Sequence, residues 1–352
     1  MFTLAKQIIG GRTMKARAIF PILIIFNFLL FPTNKSFAQE FQDQKTLEEL
    51  LDNIVNKKNV PEGLAGISLT QHSYKFGVPQ EKGLKLFETN FDSKGNLVQL
   101  IVFDIEGMIN SKETYQYDAG GNQTDLIRYD SDGNIERKET SKYDNNNNVT
   151  DYVVYRSGGE LEKKIVYRYS GNLLSEETTY NSDGEPTEKF IYNYDSGRLT
   201  SKTKFTSEGD IEQKVDYNYF RSGKLLSEVY YNPDGSVIQK YVYDIDKNDN
   251  VIEKAEINSD GEVLNKETYK YNRKNELIET QFYENNELPV RKITYSYNKK
   301  GLKDSEIEFG ENDKQVSKFV YAYNEKGGIN TITSINLLNE PEYELRYNYN
   351  LR

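Results

Sequence analysis

The chain has 352 residues, 28 tyrosines, one histidine, no cysteine and no tryptophan, with a formal net charge of −10. The missing cysteine excludes disulfides, thiol catalysis and a lipid-modified cysteine anchor. The acidic surplus repels phosphate backbones, so nucleic acid is not an expected partner.

Lys6, Arg12, Lys15 and Arg17 precede the apolar run 18–31, and the small residues of "SFAQE" follow. That order is a secretory signal over 1–38, with cleavage after Ala38 and a start at Met1 or Met14. Pro21 and Asn27 interrupt the run, which is short for a membrane span. Cleavage removes five cations and no acid, so the formal charge falls to −15. An exported chain, periplasmic or at the cell surface and without a stable membrane span, is the expectation.

Residues 39–83 read as an N-terminal helix followed by a cap or linker. Leu47, Leu50, Leu51, Ile54 and Val55 share one helical face over 45–58, and "NVPEG" stops the helix. The only histidine, His72, falls in the linker without a nucleophile motif such as G-x-S-x-G.

From residue 84 to the end the chain repeats. Aligned on the last aromatic of each "YxY" turn, the units fall at 91, 117, 143, 169, 194, 219, 243, 271, 297, 323 and 349, about 26 residues apart except for gaps of 24 and 28 around 243. A second turn, such as "YDSDGN" at 129 or "YNSDGE" at 180, halves each unit. Eight or nine strand-like positions followed by an Asp/Asn/Gly turn describe an antiparallel meander. Pro186, Pro289 and Pro341 all fall eight residues before a key tyrosine, at a strand's first position, where a missing N–H is tolerated. The fold class is therefore an all-β repeat protein: a continuous antiparallel meander of about 21 strands, twisted and rolled, behind a short helix.

Side chains alternate across a strand, so both rings of each pair share one semi-apolar face and line one edge. Leu199, Leu225 and Leu277, entering the next strands, should pack beside them. Glu113 and Glu139 occupy positions held later by Phe190, Val215, Ile293 and Phe319, which predicts an edge-exposed or single-layer region in the early strands.

The turns also invite a calcium reading, with Asp130, Asp132 and Asn134 or Asp244, Asp246 and Asn248 as oxygen ligands. The second stretch has Asp249 and Ala255 where an EF-hand loop needs Gly and Glu. Turn chemistry accounts for both stretches, and no metal, cofactor or catalytic residue is assigned. The candidate binding residues are the tyrosine edge: Tyr192, Tyr194, Tyr217, Tyr219, Tyr241, Tyr243, Tyr269, Tyr271, Tyr295 and Tyr297. Rows of tyrosine stack on sugar rings or anchor a protein partner.

The stretches "YQYDAGGN", "YDSDGN" and "YNYDSGRLT" resemble the YD repeats of the RHS family. The resemblance implies β-hairpins that spiral into a hollow shell, and carbohydrate binding by some segments. The chain is short beside full RHS proteins and shows no self-cleaving core motif, which fits a free-standing fragment. The expected function is a non-catalytic binding or structural module for envelope polysaccharide or a protein partner. The alternatives are a companion of an RHS-type secreted toxin, or a glycan hydrolase using a carboxylate pair.

Overall fold

A computed structural model describes residues 63–285 and 288–352. The signal segment and the helix expected over 45–58 lie outside these residues.

The strands are β1 (Leu64–Lys75), β2 (Val78–Pro79), β3 (Leu84–Phe91), β4 (Leu97–Phe103), β5 (Ile109–Tyr117), β6 (Gln123–Tyr129), β7 (Ile135–Tyr143) and β8 (Val149–Arg156). Then come β9 (Leu161–Ser170), β10 (Leu173–Tyr180), β11 (Pro186–Asp195), β12 (Arg198–Phe205), β13 (Ile211–Tyr219), β14 (Leu225–Tyr231), β15 (Val237–Ile245) and β16 (Val251–Asn258). The last are β17 (Val263–Tyr271), β18 (Leu277–Glu284), β19 (Pro289–Tyr297), β20 (Lys303–Phe309), β21 (Gln315–Tyr323), β22 (Ile329–Ile335) and β23 (Pro341–Leu351). Among the described residues the only helical turns are Ser157–Gly159 and Glu311–Asp313. The three prolines open β11, β19 and β23, as expected.

From β3 to β23 each strand pairs antiparallel with the next, which gives the 21 strands expected from Leu84 onward. The sheet is not an open rolled meander, however. β1 lies between the two ends, with Leu69 opposite Tyr347 of β23 on one side and Phe87 of β3 on the other. Twenty-two strands thus close into a barrel, and β2 pairs only with the tip of β1. The supposed linker is the closing strand. Closure satisfies the backbone groups that β3 and β23 would otherwise leave open as edges. Gly66 permits the close approach: a Cβ there would sit 2.4 Å from the Thr89 carbonyl oxygen.

The hairpin turns explain the punctuation. In "YDSDGN" the Asp130 carboxylate accepts the N–H groups of Asp132 (3.0 Å) and Asn134 (2.8 Å). Gly133 donates to the Asp130 carbonyl and takes φ 84°, closing a tight turn with a bulge behind it. Asn147 meets the same demand with φ 64°, since asparagine tolerates the left-handed region. In "DIDKNDN" both Asp246 carboxylate oxygens are engaged, by the N–H groups of Asn248 and Asn250 and by the Asn250 amide.

Nearly all buried apolar side chains lie on the face that carries the tyrosine pairs: Leu69, Phe87, Leu100, Val215, Ile293 and Leu345 are examples. Side chains converge on the concave side of a ring and shield one another, so this is the inner face. The early strands are not a thin edge. Leu100, Tyr115 and Leu126 belong to the largest buried cluster, with Ile67, Leu69 and Tyr347 at the seam. Glu113 is 2 % exposed there, paired with Arg128 at 2.9 Å and accepting the Tyr115 hydroxyl. A buried charge survives only with such partners.

Candidate functional site: the inner tyrosine belt

Most of the 26-residue units place two tyrosines on the inner face at one rim, and their roles differ. The second of the pair is a clasp. Tyr117, Tyr143, Tyr169, Tyr219, Tyr271 and Tyr297 each donate the hydroxyl to the backbone carbonyl 20 residues earlier, at 2.6 to 3.0 Å. Tyr323 and Tyr349 do the same. The acceptor opens the neighbouring strand of the previous hairpin, so each clasp stitches one unit to the next. Leu199, expected beside the rings, is buried there and supplies its carbonyl to Tyr219.

The clasp register corrects one alignment. Ile245 faces Val251 across a bulge as Tyr271 faces Leu277, so Ile245, not Tyr243, holds the clasp position. The gaps of 24 and 28 then become 26 and 26. Isoleucine lacks a hydroxyl, and the aromatic signal slipped by two residues to Tyr241 and Tyr243.

The first tyrosines of the pairs form a belt one step deeper. Cross-strand pairing sets Tyr192 opposite Lys202, Tyr217 opposite Glu228, Tyr243 opposite Lys254, Tyr269 opposite Thr280 and Tyr295 opposite Glu306. Successive even strands therefore contribute Glu177, Lys202, Glu228 and Lys254 at one level of the wall. Tyr192 donates to Glu177 at 3.0 Å, and Tyr243 to Glu228 at 2.7 Å. Lys202 lies 4.0 Å from the Phe190 ring centre and 5.4 Å from that of Tyr192. Phe190, Tyr192 and Leu199 form a second buried cluster, against which Tyr194 and Tyr217 pack.

The environment shifts these groups in opposite directions. Burial raises the Glu177 carboxyl above the usual carboxylate range, against the hydrogen bond from Tyr192 and the charge of Lys202. Burial lowers the Lys202 ammonium, against Glu177 and Glu188. The Tyr192 hydroxyl is pushed far up, first by burial and then by Glu177. The belt thus brings hydroxyls, acidic side chains, lysine amines and ring faces together at one level of the wall. That set matches ligands rich in hydroxyls.

Of the ten tyrosines singled out from sequence, Tyr192, Tyr217, Tyr243, Tyr269 and Tyr295 belong to the belt. Tyr219, Tyr271 and Tyr297 are clasps, Tyr194 stands at a clasp position, and Tyr241 lies beyond the belt. The charged partners were missed. Their signal is a residue 15 positions before the belt tyrosine: Glu177 before Tyr192, Lys202 before Tyr217, Glu228 before Tyr243 and Lys254 before Tyr269. His72 is buried in β1, bonded to the Thr70 hydroxyl (2.9 Å) and the Gln80 carbonyl (2.7 Å), with no part in the belt.

A family model described as an uncharacterised protein matches residues 56–217. No curated protein matches the chain. Among solved structures the chain is similar to the Photorhabdus luminescens Tc holotoxin pore, with 11% identity over 80% of this chain and 18% of that one, and a TM-score of 0.31. It is also similar to a porin-like protein from Bacteroides uniformis, with 10% identity over 82% of this chain and 97% of that one, and a TM-score of 0.28. The chain spans less than a fifth of the toxin chain it matches.

Proposed function

We propose that this protein is a non-catalytic binding and structural module of the cell envelope that holds polysaccharide along its inner belt. The observation that carries the reading is the alternation of tyrosine with Glu177, Lys202, Glu228 and Lys254 around the wall. A ring of 22 strands encloses more space than its side chains fill, which leaves room for a ligand beside the belt. Tyrosine rings give stacking surface, and the charged groups give donors and acceptors for sugar hydroxyls.

The outer face supports an aqueous setting. Each odd strand from β5 to β21 points a lysine outward; Lys112, Lys138, Lys164 and Lys189 are the first four. On a lipid-facing surface a lysine costs about 2–4 kcal/mol at the membrane midplane.

The test is co-sedimentation of the purified protein with insoluble and envelope polysaccharides, with and without calcium. Retention by the wild type, lost in Tyr217→Leu and Tyr243→Leu while circular dichroism is unchanged, is the expected result. Failure to be retained by any polysaccharide contradicts the reading. Retention that requires calcium contradicts the assignment of the Asp-rich turns to backbone closure.

A further inference from the structure

The two mouths of the barrel differ in charge. At the rim opposite the clasps, the turns at 104–108, 130–134, 156–160, 181–185, 206–210, 232–236, 258–262, 310–314 and 336–340 carry fifteen acids and two cations. The clasp rim is divided. Its turns at 92–96, 118–122 and 144–148 hold three aspartates and one lysine. Its turns at 272–276, 298–302 and 324–328, after β17, β19 and β21, hold Arg273, Lys274, Lys299, Lys300 and Lys326 against Glu276 and Glu325. All five cations are exposed, and among the described residues none of them pairs with an acid. Lysines of the outer face behave differently: Lys138, Lys164 and Lys189 pair with Asp125, Asp151 and Glu176.

The inner wall departs from its repeat beneath this basic arc. Eight of the ten residues opposite the clasp positions are aliphatic, Leu199, Leu225, Leu277 and Ile329 among them. The exceptions are Gln123 and Lys303, and Lys303 alone is charged. The Lys303 ammonium lies 5.1 Å from the Tyr295 ring centre and 5.2 Å from that of Tyr321, and it donates to Glu306 at 2.7 Å. Its side chain remains 35% exposed. A partly exposed ion pair stabilises a fold little, and less than an aliphatic side chain packed at the same place. Folding alone therefore does not select lysine here. An ammonium has three donors, and Glu306 takes one, which leaves the others for an anion held beside two tyrosine rings.

We propose that the clasp-side mouth between β17 and β22 receives an acidic polysaccharide, with a uronic acid carboxylate on Lys303 and its sugar ring against Tyr295 or Tyr321. This rests on the polysaccharide reading above and names the class of glycan. The turn cations draw the polymer to the mouth, since an opening lined by one sign of charge concentrates ligands of the other. The acidic rim repels it from the far end, so binding is one-sided. Carboxylates along the polymer engage Lys299, Lys300 and Lys326 while one unit reaches Lys303.

Isothermal titration with polygalacturonate and with alginate, at low and at physiological salt, tests this. Methyl-esterified polygalacturonate, the same polymer without its charge, is the control. The wild type should bind an acid polymer about tenfold or more tightly than the ester, with the difference shrinking as salt rises. Lys303→Leu installs the side chain that Leu277 supplies one unit earlier, so circular dichroism should not change. It should bring acid binding down toward that of the ester, as should Lys299→Glu/Lys300→Glu in the exposed turn. Neither variant should alter binding of the ester. Equal binding of acid and ester overturns the inference and leaves the polysaccharide reading intact. Variants that bind the acid polymers like the wild type also overturn it. Polyphosphate bound as tightly, with the same dependence on Lys303, would show that charge alone is read and overturn the assignment to a sugar acid. If no polymer here binds, the inference falls, and co-sedimentation with other polysaccharides decides the parent reading separately.

Discussion

Leu69→Ala is expected to lower the free energy of unfolding by about 2–5 kcal/mol, the range for truncating a fully buried leucine. Leu69 is 0% exposed and sits between Phe87 and Tyr347, on the strand that joins the two ends of the ring. The cavity falls where the two ends of the ring meet, so no neighbouring hairpin can slide in to fill it. Ile135→Ala, at a strand start that is 45% exposed, should cost roughly 0.5 kcal/mol or less, as surface changes do. Urea unfolding followed by circular dichroism measures both. The seam is not the keystone if Leu69→Ala costs no more than Ile135→Ala. Limited proteolysis should also cut Leu69→Ala between β1 and β3 before other hairpins, because closure links distant parts of the sequence and opens first when weakened.

The second large effect is alkaline unfolding. Burial raises the hydroxyls of the clasps Tyr143, Tyr169 and Tyr323 from 10.0 to about 12, and those of Tyr115 and Tyr347 further still. A folded-state value above the unfolded one means that the native chain holds protons the unfolded chain has lost. The stabilisation is complete below pH 10 and disappears as pH rises through 12. Many tyrosines titrate in the same window, so their contributions reinforce one another and the loss should be abrupt. Titration from pH 8 upward, reading tyrosinate absorbance and strand content together, should show both changing in one steep step above pH 10. Ordinary tyrosine ionisation centred near pH 10 with strand content intact would contradict the clasp assignment.

The repeat was legible in the sequence because each unit spends the same residues on the same backbone problems. Asp130 and Asn147 mark turns that need a side-chain acceptor or a left-handed residue, and Pro186, Pro289 and Pro341 mark strand starts. The boundary at Leu84 follows from the first unit. β1 was not legible for two reasons. It has no tyrosine pair, and its register shifts between Leu64 and Gly66, which breaks the two-residue period by which a strand is recognised. Closure was hidden with it, since nothing local in "LAGISLTQHSYK" says that its partners are about 260 residues apart in sequence.

The early strands misled for a different reason. A glutamate at an inner position reads as exposure, but Glu113 is neutralised by Arg128 from the next strand, a pairing that only the register reveals. The belt was half legible. Tyrosines announce themselves by repetition, whereas Glu177, Lys202, Glu228 and Lys254 alternate in sign and so do not look like a repeated position. Tyr241 and Tyr243 show the opposite error, a conspicuous pair standing one step away from the true clasp position at Ile245.

Closure of the ring by β1 is the claim on which the inner face and the seam both depend. The chain contains no cysteine, so a single pair can be introduced without competing thiols. Ser68 and Asn348 lie directly opposite each other on β1 and β23, at the roughly 4.5–5.5 Å Cα separation of paired strands, which a disulfide accommodates. The double variant Ser68→Cys/Asn348→Cys should oxidise almost completely within one chain and become harder to unfold than its reduced form. Free thiols, or disulfides formed only between chains, would show that the two ends do not meet within one molecule and that the barrel does not close as described.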